Sequence, residues 1–165
     1  MESSIILTYD QITNKTRRIA YQIYESNSKE KEIIIAGISG NGYIFAQELA
    51  KILLEISEIK VTLCEVKIDK KNPRAEISTD LDSTNYKNKS IVLVDDVLNS
   101  GATLIYGIKF FLEVPLKRFK TAVLINRNHK KYPVKADFKG ISLSTSMHEH
   151  VSVVFEANNS YAILN

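Results

Sequence analysis

Residues 91–103 (Ile-Val-Leu-Val-Asp-Asp-Val-Leu-Asn-Ser-Gly-Ala-Thr) constrain this chain more than any other stretch. Residues 91–94 are an apolar run without a polar break, the pattern of a parallel strand covered on both faces. Asp95 and Asp96 follow at its carboxyl end, where open α/β sheets place their ligand crevice. Asn99, Ser100, Gly101, Ala102 and Thr103 then form a small-residue loop that leads into a helical pattern. A loop of that kind at a helix N-terminus offers free backbone N–H groups and the positive end of the helix dipole to an anion. Paired carboxylates beside such a cradle would repel a bare phosphate. They suit a sugar phosphate, whose hydroxyls donate to the carboxylates while its phosphate lies in the loop.

An apolar strand ending in Asp-Asp also describes the acidic strand of nucleotide triphosphatases. That chemistry requires a G-x-x-x-x-G-K-[ST] loop upstream. The glycine-rich strand end here, Gly37-Ile-Ser-Gly-Asn-Gly42, carries no lysine followed by Ser or Thr, which argues against it. An acidic receiver site spreads its carboxylates over several strand ends and has no use for a Ser-Gly-Ala-Thr loop.

The rest of the chain supplies a frame for that strand. Thr8 with Gln11 predicts a capping box, and Ile12, Ile19, Ala20 and Ile23 predict a helix over residues 9–24. Residues 33–38 predict a buried strand. Gly37, Gly40 and Gly42 punctuate its end, and Phe45, Leu49, Ile52, Leu53 and Ile56 mark the buried stripe of a second helix. Residues 60–68 predict another strand. Residues 69–89 are polar and lysine-rich, as a functional flap would be, with room for a hairpin on residues 75–78. After the acidic strand comes a helix with Leu104, Ile108, Phe111 and Leu112 inside and Pro115 at its end. Residues 121–125 predict a strand, residues 126–132 a polar loop, and residues 134–141 and 151–155 the last apolar segments.

Strand–helix–strand units in this order predict an α/β fold, a parallel twisted sheet flanked by helices with right-handed crossovers. The first helix and the tail from Val134 onward are expected to form a small cap, or hood, over the strand ends. No repeat, linker or low-complexity tract divides the chain, so residues 1–165 are expected to form one domain. A composition of 44% hydrophobic and 25% charged residues is that of an ordinary globular chain. The formal net charge of +3 permits a basic patch and is too slight to argue for nucleic-acid binding. Cys64 is the single cysteine, which excludes an intrachain disulfide. No secretory leader or run of about 18 apolar residues is visible, so a cytoplasmic location and no membrane partner are expected.

The acidic strand and its loop resemble the 5-phosphoribosyl-1-diphosphate (PRPP) motif of type I phosphoribosyltransferases. Ile-Ala-Gly-Ile-Ser-Gly-Asn-Gly-Tyr-Ile-Phe-Ala (residues 35–46) resembles their pyrophosphate loop, and residues 122–140 resemble the segment that builds their base pocket. The latter is most similar to the subgroup of bifunctional pyrimidine-operon attenuators and uracil phosphoribosyltransferases. The resemblance implies transfer of ribose 5-phosphate from PRPP to a nucleobase, a pyrimidine such as uracil, with Mg²⁺ as cofactor. It implies that Asp95 and Asp96 hold the ribose hydroxyls and, largely through water, the metal. Asn99, Ser100, Gly101, Ala102 and Thr103 would take the 5-phosphate; Ser39, Gly40, Asn41 and Gly42 the pyrophosphate. Asn126, Phe138 and Lys139 would meet the base, Phe138 by packing on it and Lys139 through nearby backbone groups. Lys70, Lys71 and Arg74 would lie in a flap closing over the site. A homo-oligomer, dimer or larger, is also implied.

The chain departs from the family pattern at several positions. Asn99 stands where 6-oxopurine enzymes carry an aspartate that serves the base N7 proton, a task an amide cannot perform as a base. Asn41 replaces a basic residue of the attenuator-like pyrophosphate loop, Asn126 replaces an aspartate of that subgroup, and the flap is shorter than theirs. These departures leave room for an alternative, a PRPP- or nucleotide-sensing RNA-binding regulator of pyrimidine genes with little catalysis. Arg127, Lys130, Lys131, Lys135 and Lys139 are the cations such an RNA face would draw on. His148 and His150 flank Glu149; without a third ligand at recognisable spacing they are expected to be surface residues.

Overall fold

The computed structural model describes residues 3–165. Its centre is a six-stranded sheet in the order β4-β3-β2-β5-β6-β7. These strands are β2 (Glu32–Ile38), β3 (Lys60–Lys67), β4 (Ser78–Thr79), β5 (Ser90–Leu98), β6 (Arg118–Arg127) and β7 (Phe138–Leu143). All neighbours run parallel except β4, which returns antiparallel to β3. The unbroken apolar runs arise because both faces of the sheet are covered. Along β2, Ile33 and Ile35 join one core while Ile34, Ala36 and Ile38 join the other. Val92 and Val94 of β5 likewise oppose Ile91 and Leu93.

One face carries α1 (Tyr9–Ser26) and α2 (Asn41–Ile56); the other carries α4 (Ala102–Phe111) and the short α3 (Ser83–Tyr86). The capping box opens α1 as predicted, with Gln11 N–H bonded to Thr8 Oγ1 and Thr8 N–H to Gln11 Oε1. A second, three-stranded antiparallel sheet, β1-β9-β8, forms the hood from β1 (Ser4–Leu7), β8 (Val151–Val154) and β9 (Tyr161–Leu164).

Several expectations are corrected. The first helix is not part of the hood: its stripe of Ile12, Ile19, Ala20 and Ile23 packs in the same core as Phe45, Leu49 and Leu53 of α2. An amphipathic helix with that much apolar surface needs a sheet face, and the main sheet provides it. The tail contributes only in part, because β7 is an edge strand of the main sheet. The acidic strand continues to Leu98, since β6 supplies pairing partners beyond the aspartates: Val97 opposite Ile125 and Leu98 opposite Asn126. The second half of the flap belongs to the body, where Tyr86 is buried edge-on to Phe111 with ring centroids 5.2 Å apart. Leu112 is 60% exposed. The buried stripe of α4 is Leu104, Gly107 and Phe111, and a Cβ at Gly107 would meet Leu93 Cδ2 at 3.0 Å. Leu104, Ile108 and Phe111 of the expected face do pack in the core, and Gly107, which carries no apolar signal, takes the place expected of Leu112.

This inner face is testable by urea unfolding. Phe111→Ala should cost about 3–5 kcal/mol as a buried aromatic deletion. Leu112→Ser should stay within about 0.5 kcal/mol of the parent. Comparable losses at the two positions would contradict the observed helix face.

Candidate active site

The sheet order changes direction between β2 and β5: β3 follows β2 on one side, and β5, β6 and β7 extend on the other. Ligand crevices of open α/β sheets form at such a switch point, outside the carboxyl ends of the strands. The loops at this switch are residues 39–42 after β2 and residues 99–101 after β5. The two segments singled out in the sequence thus meet at one place.

Asp95 and Asp96 lie near the end of β5 and are 4% and 8% exposed. Asp95 Oδ1 accepts the backbone N–H of Asp96 at 2.9 Å and Lys70 Nζ at 3.3 Å. Lys70 Nζ lies 3.9 Å from Asp96 Oδ1, so one half-exposed ammonium serves two buried carboxylates. That is too little positive charge. Burial, and then the neighbouring Asp96, push the Asp95 carboxyl up to about 7, with Lys70 opposing the shift. A single half-exposed ammonium thus leaves the pair's negative charge incompletely balanced.

The loops are built around these carboxylates. A Cβ at Gly42 would lie 2.8 Å from Asp95 Oδ1, so only glycine lets α2 start this close to the acidic strand. Gly101 caps α4 with φ +88°, and a Cβ there would also strike Val134 Cγ1 at 2.4 Å. The carbonyl of Ser100 accepts the N–H groups of Lys131 and Tyr132, and Ser100 Oγ accepts Ala102 N–H at 3.2 Å. Residues 99–103 line a cleft with Asp95, Lys70 and Val123. Asn41 Nδ2 donates to Asp96 Oδ2 at 3.2 Å and to the Val153 carbonyl of the hood at 2.8 Å. Ser39 Oγ donates to Glu65 Oε1 at 3.1 Å, which sets an acidic side chain beside this loop.

The residues expected at a base are distributed differently. Asn126 is 4% exposed; its Nδ2 donates to Ser142 Oγ at 3.1 Å and its Oδ1 is buried without a partner among the described residues. Phe138 lies in the sheet row of Val94 and Ala122 and packs against the α1–α2 core, outside that cleft. The carbonyls of Lys139 and Gly140 accept Arg18 Nη1 and Nη2 of α1 at 3.2 and 2.7 Å, so these backbone groups serve packing. Lys70 reaches the carboxylates, whereas Lys71 and Arg74 of the flap are exposed. His148 and His150 are exposed. Arg127 is not available to a surface RNA face. Its guanidinium turns inward, with Nη1 3.1 Å from Asn99 Oδ1 and Nε 2.8 Å from Thr145 Oγ1. Nη2 donates to the carbonyls of Ser146 and Glu149. The sequence signal for this role was present, since Arg127 follows Asn126 at the end of a parallel strand. Among the described residues no helix is long and apolar enough to cross a membrane, and no cluster of three or more His, Cys, Asp or Glu could hold a metal by itself.

Fold and crevice are those of an open α/β protein with its site at the topological switch point. The model of the phosphoribosyl transferase domain family matches residues 5–158. Similar proteins include the Bifunctional protein PyrR of Fusobacterium nucleatum, 34% identical over 93% of this chain and 91% of the relative. That of Geobacter sp. is 31% identical over 96% of this chain and 94% of the relative. Among solved structures, a hypoxanthine phosphoribosyl transferase of Trypanosoma cruzi superposes with a TM-score of 0.78 at 14% identity, covering 97% of this chain and 90% of that one. A hypoxanthine-guanine phosphoribosyltransferase of Bacillus anthracis gives 0.75 at 17% identity, covering 99% of each chain. The chain belongs to the phosphoribosyl transferase domain family and has its type I fold.

The Asp95 environment has a signed consequence for the ligand-free protein. A carboxyl raised from 3.8 to about 7 contributes stability that is present at low pH and is lost as pH rises through about 7. Asp95→Asn removes this titration. Thermal unfolding should therefore show the variant gaining on the parent between pH 5 and pH 8. An equal difference at both values would contradict a proton held on Asp95.

Proposed function

We propose that the chain transfers the 5-phosphoribosyl group of PRPP to a pyrimidine base such as uracil, releasing pyrophosphate. The observation that carries this reading is the buried Asp95–Asp96 pair beside the glycine-capped loop of residues 99–103. Carboxylates supply acceptors for ribose hydroxyls; the loop supplies donors for the 5-phosphate. Similarity to the PyrR proteins over nearly their whole length supports the pyrimidine side of the assignment.

In the reaction a base nitrogen bonds to the anomeric carbon as the bond from that carbon to the pyrophosphate oxygen breaks, and the proton of that nitrogen passes to the departing pyrophosphate or to water. Positive charge develops on the sugar, so the residues act mainly by positioning and by fixed electrostatics. Asp95 and Asp96 would hold the 2- and 3-hydroxyls, and their negative charge lies on the side of the developing cation. Ser39, Gly40, Asn41 and Gly42 would receive the pyrophosphate at the start of α2. When ribose occupies the carboxylates, Lys70 would be freed toward the leaving group, with Lys71 and Arg74 following in the flap. Asn126 would back the base pocket from its buried position, where its Nδ2 donates to Ser142 Oγ.

The donor set fits Mg²⁺. Two carboxylates short of positive charge suit an ion that keeps several waters and completes its shell with substrate oxygens. Asp95 and Asp96 would hold it largely through water, and bound there it would neutralise the departing pyrophosphate.

Pyrophosphate release from PRPP, measured with a panel of bases and Mg²⁺, tests the proposal. Uracil should give turnover, and Asp95→Asn combined with Asp96→Asn should abolish Mg–PRPP binding by calorimetry. Tight PRPP binding without turnover on any base would refute the enzymatic reading. Unchanged affinity in the double variant would refute the site.

A further inference from the structure

We infer that Glu65 of β3 sets the preference of this site for the charge of its ligand. Its carboxylate opposes a pyrophosphate at the loop of residues 39–42 and leaves a ribose 5-phosphate without that group unaffected. The inference rests on the phosphoribosyl-transfer reading above, and it assigns the selection to a side chain outside the loops that would hold the phosphates.

Register and alternation put Glu65 at that loop. It pairs with Gly37 in the β2–β3 ladder, just before the loop begins. Leu63 packs with the α1–α2 core while Cys64 and Val66 belong to the other, so Glu65 points to the face on which α2 starts. The N–H of Ser39 donates to the Val66 carbonyl at 2.8 Å, which fixes the loop against the end of β3. Ser39 Oγ donates to Glu65 Oε1 at 3.1 Å, so its one hydroxyl proton is already directed at a carboxylate. Asp80 adds a second negative charge, its Oδ1 accepting the Glu65 N–H at 2.8 Å. Burial, and then the charges of Asp80 and Glu65, push the Tyr43 hydroxyl up, so both carboxylates are felt in the first turn of α2. Neither forms an ion pair among the described residues. The start of α2, capped by Gly40 without a side-chain bond, attracts an anion by its dipole. Glu65 and Asp80 are the anions it already has, and a polyanion arriving there meets like charge. The loop of residues 99–103 has no such neighbour, since Asp95 alone of the acidic side chains lines that cleft.

Calorimetric dissociation constants for PRPP and for uridine 5′-monophosphate, measured at one fixed Mg²⁺ concentration, test this. The monophosphate carries the ribose 5-phosphate and lacks the pyrophosphate. Glu65→Gln keeps an acceptor for Ser39 Oγ and removes the charge. PRPP should bind this variant about 10-fold more tightly, the scale of one partly screened charge pair a few ångströms apart, while the monophosphate stays unchanged. The gain should shrink as salt is raised. Asp80→Asn, at an exposed position and with its acceptor for the Glu65 N–H retained, should move PRPP in the same direction by less. A structural role for Glu65 would shift both ligands together or weaken PRPP, and either result overturns the inference. PRPP affinity unmoved in both variants, in a parent that binds the monophosphate, defeats this inference alone. If the parent binds neither ligand, the phosphoribosyl-transfer reading fails and this one with it.

Discussion

The site is organised by the burial of two adjacent carboxylates at the end of a central strand. Asp95 and Asp96 are carried inward because β5 is covered on both faces and stays paired with β6 as far as Leu98, beyond the end of its pairing with β2 at Val94. Water cannot stabilise their charge, so neighbouring groups must do it. The backbone of Asp96, the amide of Asn41 and the ammonium of Lys70 are recruited for that purpose. Gly42 lacks a side chain for the same reason. Burial and the neighbouring Asp96 raise the Asp95 carboxyl to about 7, and a cation bound there, as proposed, would relieve that charge.

The same electrostatics set the balance between the two anion loops. Residues 99–103 face the cleft with no acidic partner other than Asp95. The loop at residues 39–42 is less generous. Ser39 is committed to Glu65, and the Asn41 amide is committed to Asp96 and Val153. On the proposed reading, a pyrophosphate entering there would have to displace or share these bonds.

Much of this was legible in the sequence where local pattern and tertiary role agree. The apolar runs of β2 and β5 read as buried strands because their side chains alternate between two cores. Gly40 and Gly101 read as helix starts because no other residue takes φ near +88° readily. What escaped depends on partners far along the chain. The strand β9 is four residues long and exists through β1 and β8. Gly107 carries no apolar signal although it faces the core. Arg127 looks like one of several surface cations until residues 145–149 fold back over it. Phe138 reads as a ring available to a ligand, but its register opposite Ala122 places it below the strand ends.

Both loops are finally tied to the hood, by different bonds. Asn41 connects the start of α2 to Val153 of β8 through one amide. Arg127 connects Asn99 to the segment that leads into β8 through its whole guanidinium. The two links converge on the same small antiparallel sheet, which packs on the main core through Val151, Val153 and Ala162. A displacement of β8 would therefore loosen the loop after β2 and the loop after β5 together. The links also differ in strength of commitment. Asn41 shares one nitrogen between two acceptors, whereas Arg127 uses separate donors for each partner. The loop after β2 is thus held to the hood by the more easily divided link, and the loop after β5 by the firmer one.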